Sequence, residues 1–285
     1  MAVTSLTPRR IKFEFPEQIP LVWTPRVPEI SAAANSVSLL MPHVEPYVIA
    51  SVRAVLEQLP TEQRVAAAGF IAQEAQHQRQ HRIFNASVTP QIPGMSRVES
   101  WMHRTYGWLS RTRSTRFNLA FAAGFETVAF ALARWTESHL RTLFDGADER
   151  ITTLFLWHLA EEVEHKSVAF DAYEQVDGSR VRYLLAAVSS ILILSGYTLI
   201  STVLNLKAQG RLFHPVAWWR LLLFSISLAW EVLPDLAASA MPGHHPSDFA
   251  DPIALSTWLN QYDPETASLP LWWTGESAQQ PVVLR

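Results

Sequence analysis

The feature that most constrains this chain is the stretch 156–173, LWHLAEEVEHKSVAFDAY, in which His158, Glu162 and His165 are spaced four and then three apart. On a helix of 3.6 residues per turn these spacings set all three side chains on one face, within about 60° of arc. Two imidazoles and a carboxylate converging from one helical face form a metal-ligand arrangement. A second copy of the core pattern lies upstream in IAQEAQHQRQH, where Glu74 and His77 again read Glu-x-x-His. A fold that brings both copies to one place must be helical.

The rest of the sequence supplies such helices. Residues 1–30 carry five prolines and no helical period, and read as an extended arm. A first helix is expected over 31–59, interrupted by Pro42 and Pro46, since proline removes a backbone donor and kinks a helix. Thr61 is the expected N-cap of a second helix reaching Asn85. Residues 86–114 read as a long connection with a short helix at 98–109. A third helix follows Ser114 and runs through Glu126 to Phe144. A fourth spans 147–174 and ends before Asp177-Gly178. A helix pair, a long crossover and a second helix pair is the connectivity of a ferritin-like four-helix bundle, so the expected class is all-α with the bundle over 31–178.

A dimetal site in such a bundle takes a carboxylate from each of two helices and Glu-x-x-His from each of the other two. The chain offers Glu45, then Glu74 with His77, then Glu126, then Glu162 with His165. Glu126 lies in FNLAFAAGFETVAFALA, where an acid without a partner is expensive to bury. Four carboxylates carry about −4, which two divalent ions balance. Imidazole and carboxylate ligands suit iron first, with manganese or zinc as alternatives. His158 offers a seventh ligand or a hydrogen-bonding support for one. His81, one turn past His77, is placed as such a support. Glu161 and Glu164 are expected to form a polar flank, Glu164 with an arginine of another helix, and Lys166 an ion pair. Arg79 and Arg82 are the arginines expected to reach acids near the site.

The segments PRRIKFEFP, NSVSLLMPHVEPYVIASVR, FIAQEAQHQRQHRIFN, FAAGFETVAF and WHLAEEVEHKSVAFDAY resemble a bacterial family of predicted metal-dependent hydrolases with ferritin-like character. The resemblance runs from the arm to about residue 240 and implies hydrolysis as the reaction. At Val44-Glu45-Pro46 the chain departs from that family's pattern, which has glycine before the glutamate and no proline after it. The run His158-x-x-x-Glu162-x-x-His165 is also similar to the last helix of di-iron N-oxygenases acting on aryl amines. That second resemblance implies a third imidazole ligand and oxygen chemistry.

Beyond the bundle, residues 183–206 carry no charge, and 221–233 form a second apolar segment. These suggest a hydrophobic helical pair within 179–240, packed on the bundle or against a membrane, with an irregular tail over 241–285 that includes Trp258 and Trp272-Trp273. Lys207, Arg211 and Arg220 between the two segments speak against a full crossing from a cytoplasmic bundle. A homodimer interface is the other use of this surface. The chain has no cysteine, which excludes disulfides and thiolate metal centres and fits a cytoplasmic setting, on the inner face of the membrane if it touches one. The opening MAVTSLTPRRIKFEF has no apolar run after its arginines and does not read as a secretory signal. A formal net charge of −3 gives no support to nucleic-acid binding.

Three functions compete. The first is an oxidoreductase using dioxygen on a small or hydrophobic, acyl-type substrate, with an electron donor. The second is a hydrolase using metal-activated water, and the third is ferritin-like metal or oxidant handling. The histidine-rich carboxylate set favours the first.

Overall fold

The computed structural model describes residues 6–272, so Trp273 and the end of the expected tail lie outside the described residues. The fold is all-α, with no strand among the described residues beyond one isolated bridge between Asp263 and Ser268. The elements are α1 (Pro28–Arg53), α2 (Thr61–Val88), α3 (Met95–Thr112), α4 (Thr115–Ser138), α5 (Leu140–Phe144), α6 (Glu149–His165), α7 (Val168–Val176), α8 (Arg180–Ala208), α9 (Pro215–Ser239) and α10 (Ile253–Leu259). Helices α1, α2, α4 and the α6–α7 pair pack on one another as the bundle that surrounds the Glu-x-x-His residues.

Several boundaries differ from expectation, each for a local reason. Helix α1 starts at Pro28, whose missing N–H is tolerated in a first turn, and ends at Arg53. It runs through Pro42 and Pro46 without a break. Pro42 has no N–H for the carbonyl of Ser38, and the Asn85 side-chain amide donates to that oxygen instead, at 2.9 Å. Pro60, not Thr61, is the N-cap of α2, and Thr61 is its first residue. The connection after α2 holds a full helix, α3, begun by Gly94 at φ 89°, a left-handed conformation that glycine takes without a Cβ penalty. Ser114 caps α4 by accepting from Phe117 N, and Asp148 caps α6 by accepting from Ile151 N. The expected third helix divides at His139 into α4 and α5, and the fourth divides after His165 into α6 and α7. The tail is not wholly irregular, since it contains α10.

The arm, residues 6–27, crosses the bundle and buries Ile11, Phe13, Ile19 and Trp23. Trp23 stacks on Phe144 and Phe155, and its carbonyl accepts from Asp148 N. Helix α8 packs on α4 and α1, and α9 packs mainly on α4. At the α4–α8 crossing Gly124 has no room for a side chain: a Cβ there would sit 2.6 Å from the Ala187 Cα. Gly124→Val is therefore expected to destabilise the fold by about 1–3 kcal/mol or more through overpacking. The check is a lower urea midpoint at unchanged slope, and an unchanged midpoint would mean that α8 does not need this close approach. By length and apolar composition α8, α9 and the Pro28–Gln58 segment could each cross a membrane.

Candidate metal centre

Seven side chains expected at the site come together in the bundle interior. Glu45, Glu74, His77, Glu126 and His165 are fully buried, Glu162 is 1% exposed and His158 7%. Glu45 comes from α1, Glu74 and His77 from α2, Glu126 from α4, and His158, Glu162 and His165 from α6. Ligand atoms of Glu74, His77, Glu162 and His165 lie within 4.8 Å of one another, and so do those of Glu45, His77 and His158. Glu126 closes the far side, with Oε2 3.8 Å from His165 Nδ1. His77 Nδ1 stands 3.5 Å from Glu74 and 3.6 Å from Glu162. His165 Nδ1 lies 2.9 Å from Glu74 and 3.6 Å from Glu162. Glu74 and Glu162 therefore face both Glu-x-x-His imidazoles.

The outward nitrogens are held by residues that spacing did not single out. His77 Nε2 donates to Glu161 Oε2 at 2.8 Å, and His165 Nε2 donates to Gln73 Oε1 at 2.9 Å. Each imidazole thus carries its proton on Nε2 and turns Nδ1 inward, as a ligand-orienting partner requires. Glu161 is not part of an exposed flank. It is fully buried, and its charge is met by Arg9 from the arm at 2.9 Å. Arg9 also grips Glu164 at 2.8 Å, so the arginine comes from the arm and not from another helix. Gln73 ties the same group together by donating to Glu164 Oε2. Arg79 and Arg82 are exposed, and Arg82 donates to Gln78. Lys166 pairs with Asp251 and donates to the Phe249 carbonyl.

On the α1 side a buried chain of hydrogen bonds leads away from His158. Its Nδ1 meets His81 Nε2 at 2.7 Å, His81 Nδ1 meets Ser38 Oγ at 2.7 Å, and Ser38 Oγ donates to Asn85 Oδ1 at 2.8 Å. The single Ser38 proton goes to Asn85, so His81 Nδ1–H donates to Ser38 and His158 Nδ1–H donates to His81. His158 Nε2 faces the carboxylates, 2.7 Å from Glu162 Oε1 and 3.7 Å from Glu45 Oε1. Asn85 in turn lines a cleft of about 400 Å3 bordered by Pro42, His43, Arg82, Glu99 and His103.

This arrangement is short of positive charge. Both carboxylate oxygens of Glu45, Glu74 and Glu126, together with Glu162 Oε2, His77 Nδ1 and His165 Nδ1, are buried without a hydrogen-bond partner. Such orphaned groups normally forfeit a desolvation penalty of about 1–3 kcal/mol each, and more when charged. Without metal, protons must compensate. Burial, with the repulsion of Glu74, lifts the Glu45 carboxyl well above the carboxylate range. Burial and then Glu162 do the same to Glu126. For Glu162 burial acts upward, but His158 and His165 outweigh it and hold the group well below its usual value. Glu74 is likewise lowered, with burial and Glu162 outweighed by His165 and His77. Burial works against a charged imidazole at His77 and His165, yet contacts with Glu161 and Glu74, and with Glu162 and Glu74, raise His77 well above its usual value and His165 to about 9. Burial lowers His158 and His81, each beside another histidine. The residues therefore fit a pair of divalent ions: inward lone pairs, outward protons held in place, and about four negative charges without fixed cations.

Aromatic side chains close the centre. Phe70 sets its edge on His165, and Trp157 on His77, at ring separations of 4.8 and 4.9 Å. No curated protein and no solved structure matches the chain. A family model described as "Predicted metal-dependent hydrolase" does match, over residues 7–250, a span that takes in Arg9, every side chain of the buried cluster and its supports. By that match the chain belongs to the predicted metal-dependent hydrolase family.

Proposed function

We propose that the protein is a dimetal enzyme in which Glu45, Glu74, His77, Glu126, His158, Glu162 and His165 would hold two ions, with Glu74 and Glu162 facing both Glu-x-x-His imidazoles. The cluster of buried oxygen and nitrogen atoms without hydrogen-bond partners carries this reading. Iron is the metal best suited to four carboxylates and three imidazoles, with manganese or zinc as substitutes. The reaction we favour is oxidation of a small or hydrophobic substrate by dioxygen. What supports it is enclosure: six of the seven side chains are at most 1% exposed and lie among Phe70, Trp157 and other apolar groups. A dry site of this kind admits a diatomic gas more readily than a polar ester or phosphate with its attacking water. Redox-active metal held there would supply electrons to dioxygen, and an electron donor would restore them.

The chain's own groups have separate tasks in this scheme. Glu161 and Gln73 fix the tautomers of His77 and His165, and Arg9 holds Glu161 in place. His81, Ser38 and Asn85 fix the tautomer of His158 and join it to the cleft. Phe70 and Trp157 exclude water. The second reading is hydrolysis by a metal-activated water, and the description of the family favours it.

One experiment separates the two. The metal-free protein is loaded anaerobically with ferrous iron and then exposed to air. Two irons per chain and a visible absorption band that appears only with air are expected. A colourless zinc or manganese protein that hydrolyses p-nitrophenyl esters or phosphates, and whose iron form does not respond to air, would replace oxidation with hydrolysis.

A further inference from the structure

The outer faces of α8 and α9 do not suit water. On α8 the exposed large side chains are Val181, Leu184, Leu185, Val188, Leu192, Leu199 and Ile200, most of them at helical spacing along one stripe. From 183 to 206 no residue is charged, so nothing ionic interrupts that face. On α9, Trp219, Leu223, Ile226, Trp230 and Leu233 continue the pattern, with Trp230 82% exposed. A helix lying on a soluble bundle turns charged or polar residues outward, and contiguous apolar patches of this extent mark an interaction surface. The α8 stripe alone runs about 28 Å at 1.5 Å per residue.

What covers it is indicated by α3. Thr105 of α3 hydrogen bonds to Tyr197 of α8 at 2.6 Å, so the two helices lie side by side. Trp101 and Trp108, four residues before and three after Thr105, share its face and are 42% and 46% exposed. Arg97, Arg104, Arg111 and Arg113 are exposed on or just past the same helix, with Arg113 over the Trp108 ring at 4.7 Å. An aliphatic surface bordered by tryptophans and arginines has the composition of a membrane interface, where aromatic rings sit at headgroup depth and cations meet anionic lipid.

The packing also decides between lying on a bilayer and crossing one. Helix α8 is fixed to the bundle along its length: Tyr183 OH to Thr127 near its start, Tyr197 to Thr105 at the middle, and Asn205 to Ser36 near its end. At the turn between α8 and α9, Arg211 and Arg220 both pair with the fully buried Glu29, and Gln209 donates to the Leu21 carbonyl. A crossing hairpin would drag α3, with its arginines, and the bundle into hydrocarbon. We infer that the protein docks in the plane of an anionic bilayer, with the outer faces of α8 and α9 among the acyl chains and the tryptophans and arginines of α3 at the headgroups.

The test is flotation of the full-length protein with vesicles of phosphatidylethanolamine and phosphatidylglycerol (3:1), and with phosphatidylcholine alone. Wild type is expected to float with the anionic vesicles. Leu192→Asp with Trp230→Asp, at exposed positions, is expected to bind at least tenfold less while helical content and bound metal are unchanged. Arg104→Glu with Arg111→Glu is expected to reduce binding several-fold on anionic vesicles only. Wild type that stays out of the lipid fraction as a dimer, which Leu192→Asp with Trp230→Asp separates, would assign the face to a second copy and overturn the proposal. So would a protein that floats without preference for anionic lipid. Orientation is read in this cysteine-free chain from Arg79→Cys and His214→Cys, treated with an impermeant maleimide added outside the vesicles. Both are expected to label; labelling of Arg79→Cys alone would mean a crossing hairpin.

Discussion

Glu162→Ala is expected to empty the centre of both ions. Glu162 faces His77 Nδ1 at 3.6 Å, His165 Nδ1 at 3.6 Å and His158 Nε2 at 2.7 Å, so its removal withdraws the carboxylate that faces all three imidazoles. The loss in affinity should exceed the about 10–100-fold typical of removing an outer partner of a metal ligand. Glu161→Gln supplies that comparison, because it leaves every ligand and weakens only the outer support of His77 Nε2 and its ion pair with Arg9. His158→Ala should lie between them and weaken mainly one ion, since its Nε2 points to Glu45 and Glu162 and is not placed beside Glu126. Metal analysis after dialysis, with titration against a chelator, gives the order directly. Two retained ions in Glu162→Ala would mean that the centre does not depend on this carboxylate and would overturn the proposed ligand set.

Residues that share a helix were legible in the sequence, and those that meet across the fold were not. Glu74 and His77, or Glu162 and His165, are three apart and so must share a face once a helix forms. Glu126 stood out because an acid in an apolar run needs a reason. Glu161 gave no such signal, since it is one of three acids in EEVE, and only the fold shows that it faces His77 while Glu164 reaches the surface. Arg9 and Gln73 act on partners 152 and 92 positions away, a relation no local period records. His81 was visible by its one-turn spacing from His77, but Ser38 and Asn85 were not, because the proline-freed carbonyl that joins them is a property of the packed α1–α2 pair.

The same division holds for the helices. Caps at Ser114 and stops such as Asp177-Gly178 are local chemistry and were readable. The break after His165 has neither proline nor glycine to mark it, and the hydrophobic period simply continues into α7. Prolines misled in the opposite sense: Pro42 and Pro46 suggested interruption, yet packing and a side-chain donor keep α1 whole. How α8 and α9 seat on α1 and α4 depended on tertiary packing alone.

The metal-free protein is expected to lose stability as the pH rises from about 6.5 to about 9, and metal is expected to reverse this. His165 is held at about 9 in the folded chain against an unfolded value near 6.5. A raised folded value means that the stabilisation is complete below the unfolded value and is lost as pH climbs through the folded one. For His165 alone the difference is on the order of 3 kcal/mol. His77 acts in the same direction, its value being raised well above the usual one. The raised carboxyls of Glu45 and Glu126 agree in sign, because the fold prefers them protonated and each unit of rising pH above the unfolded carboxylate value weakens it. The lowered Glu74 and Glu162 oppose this only in acid, where stability falls as pH drops through their folded values. The raised values of Glu45, Glu126, His77 and His165 mean that the metal-free centre holds protons where ions would otherwise bind. Filling it should release protons and strengthen with rising pH. Indicator-dye titration at pH 7 reads the first quantity, and melting curves with and without metal from pH 6.5 to 9 read the second. A centre that takes up metal with no proton release, and whose metal-free melting temperature is flat over that range, would mean that these protons do not occupy the places of the ions.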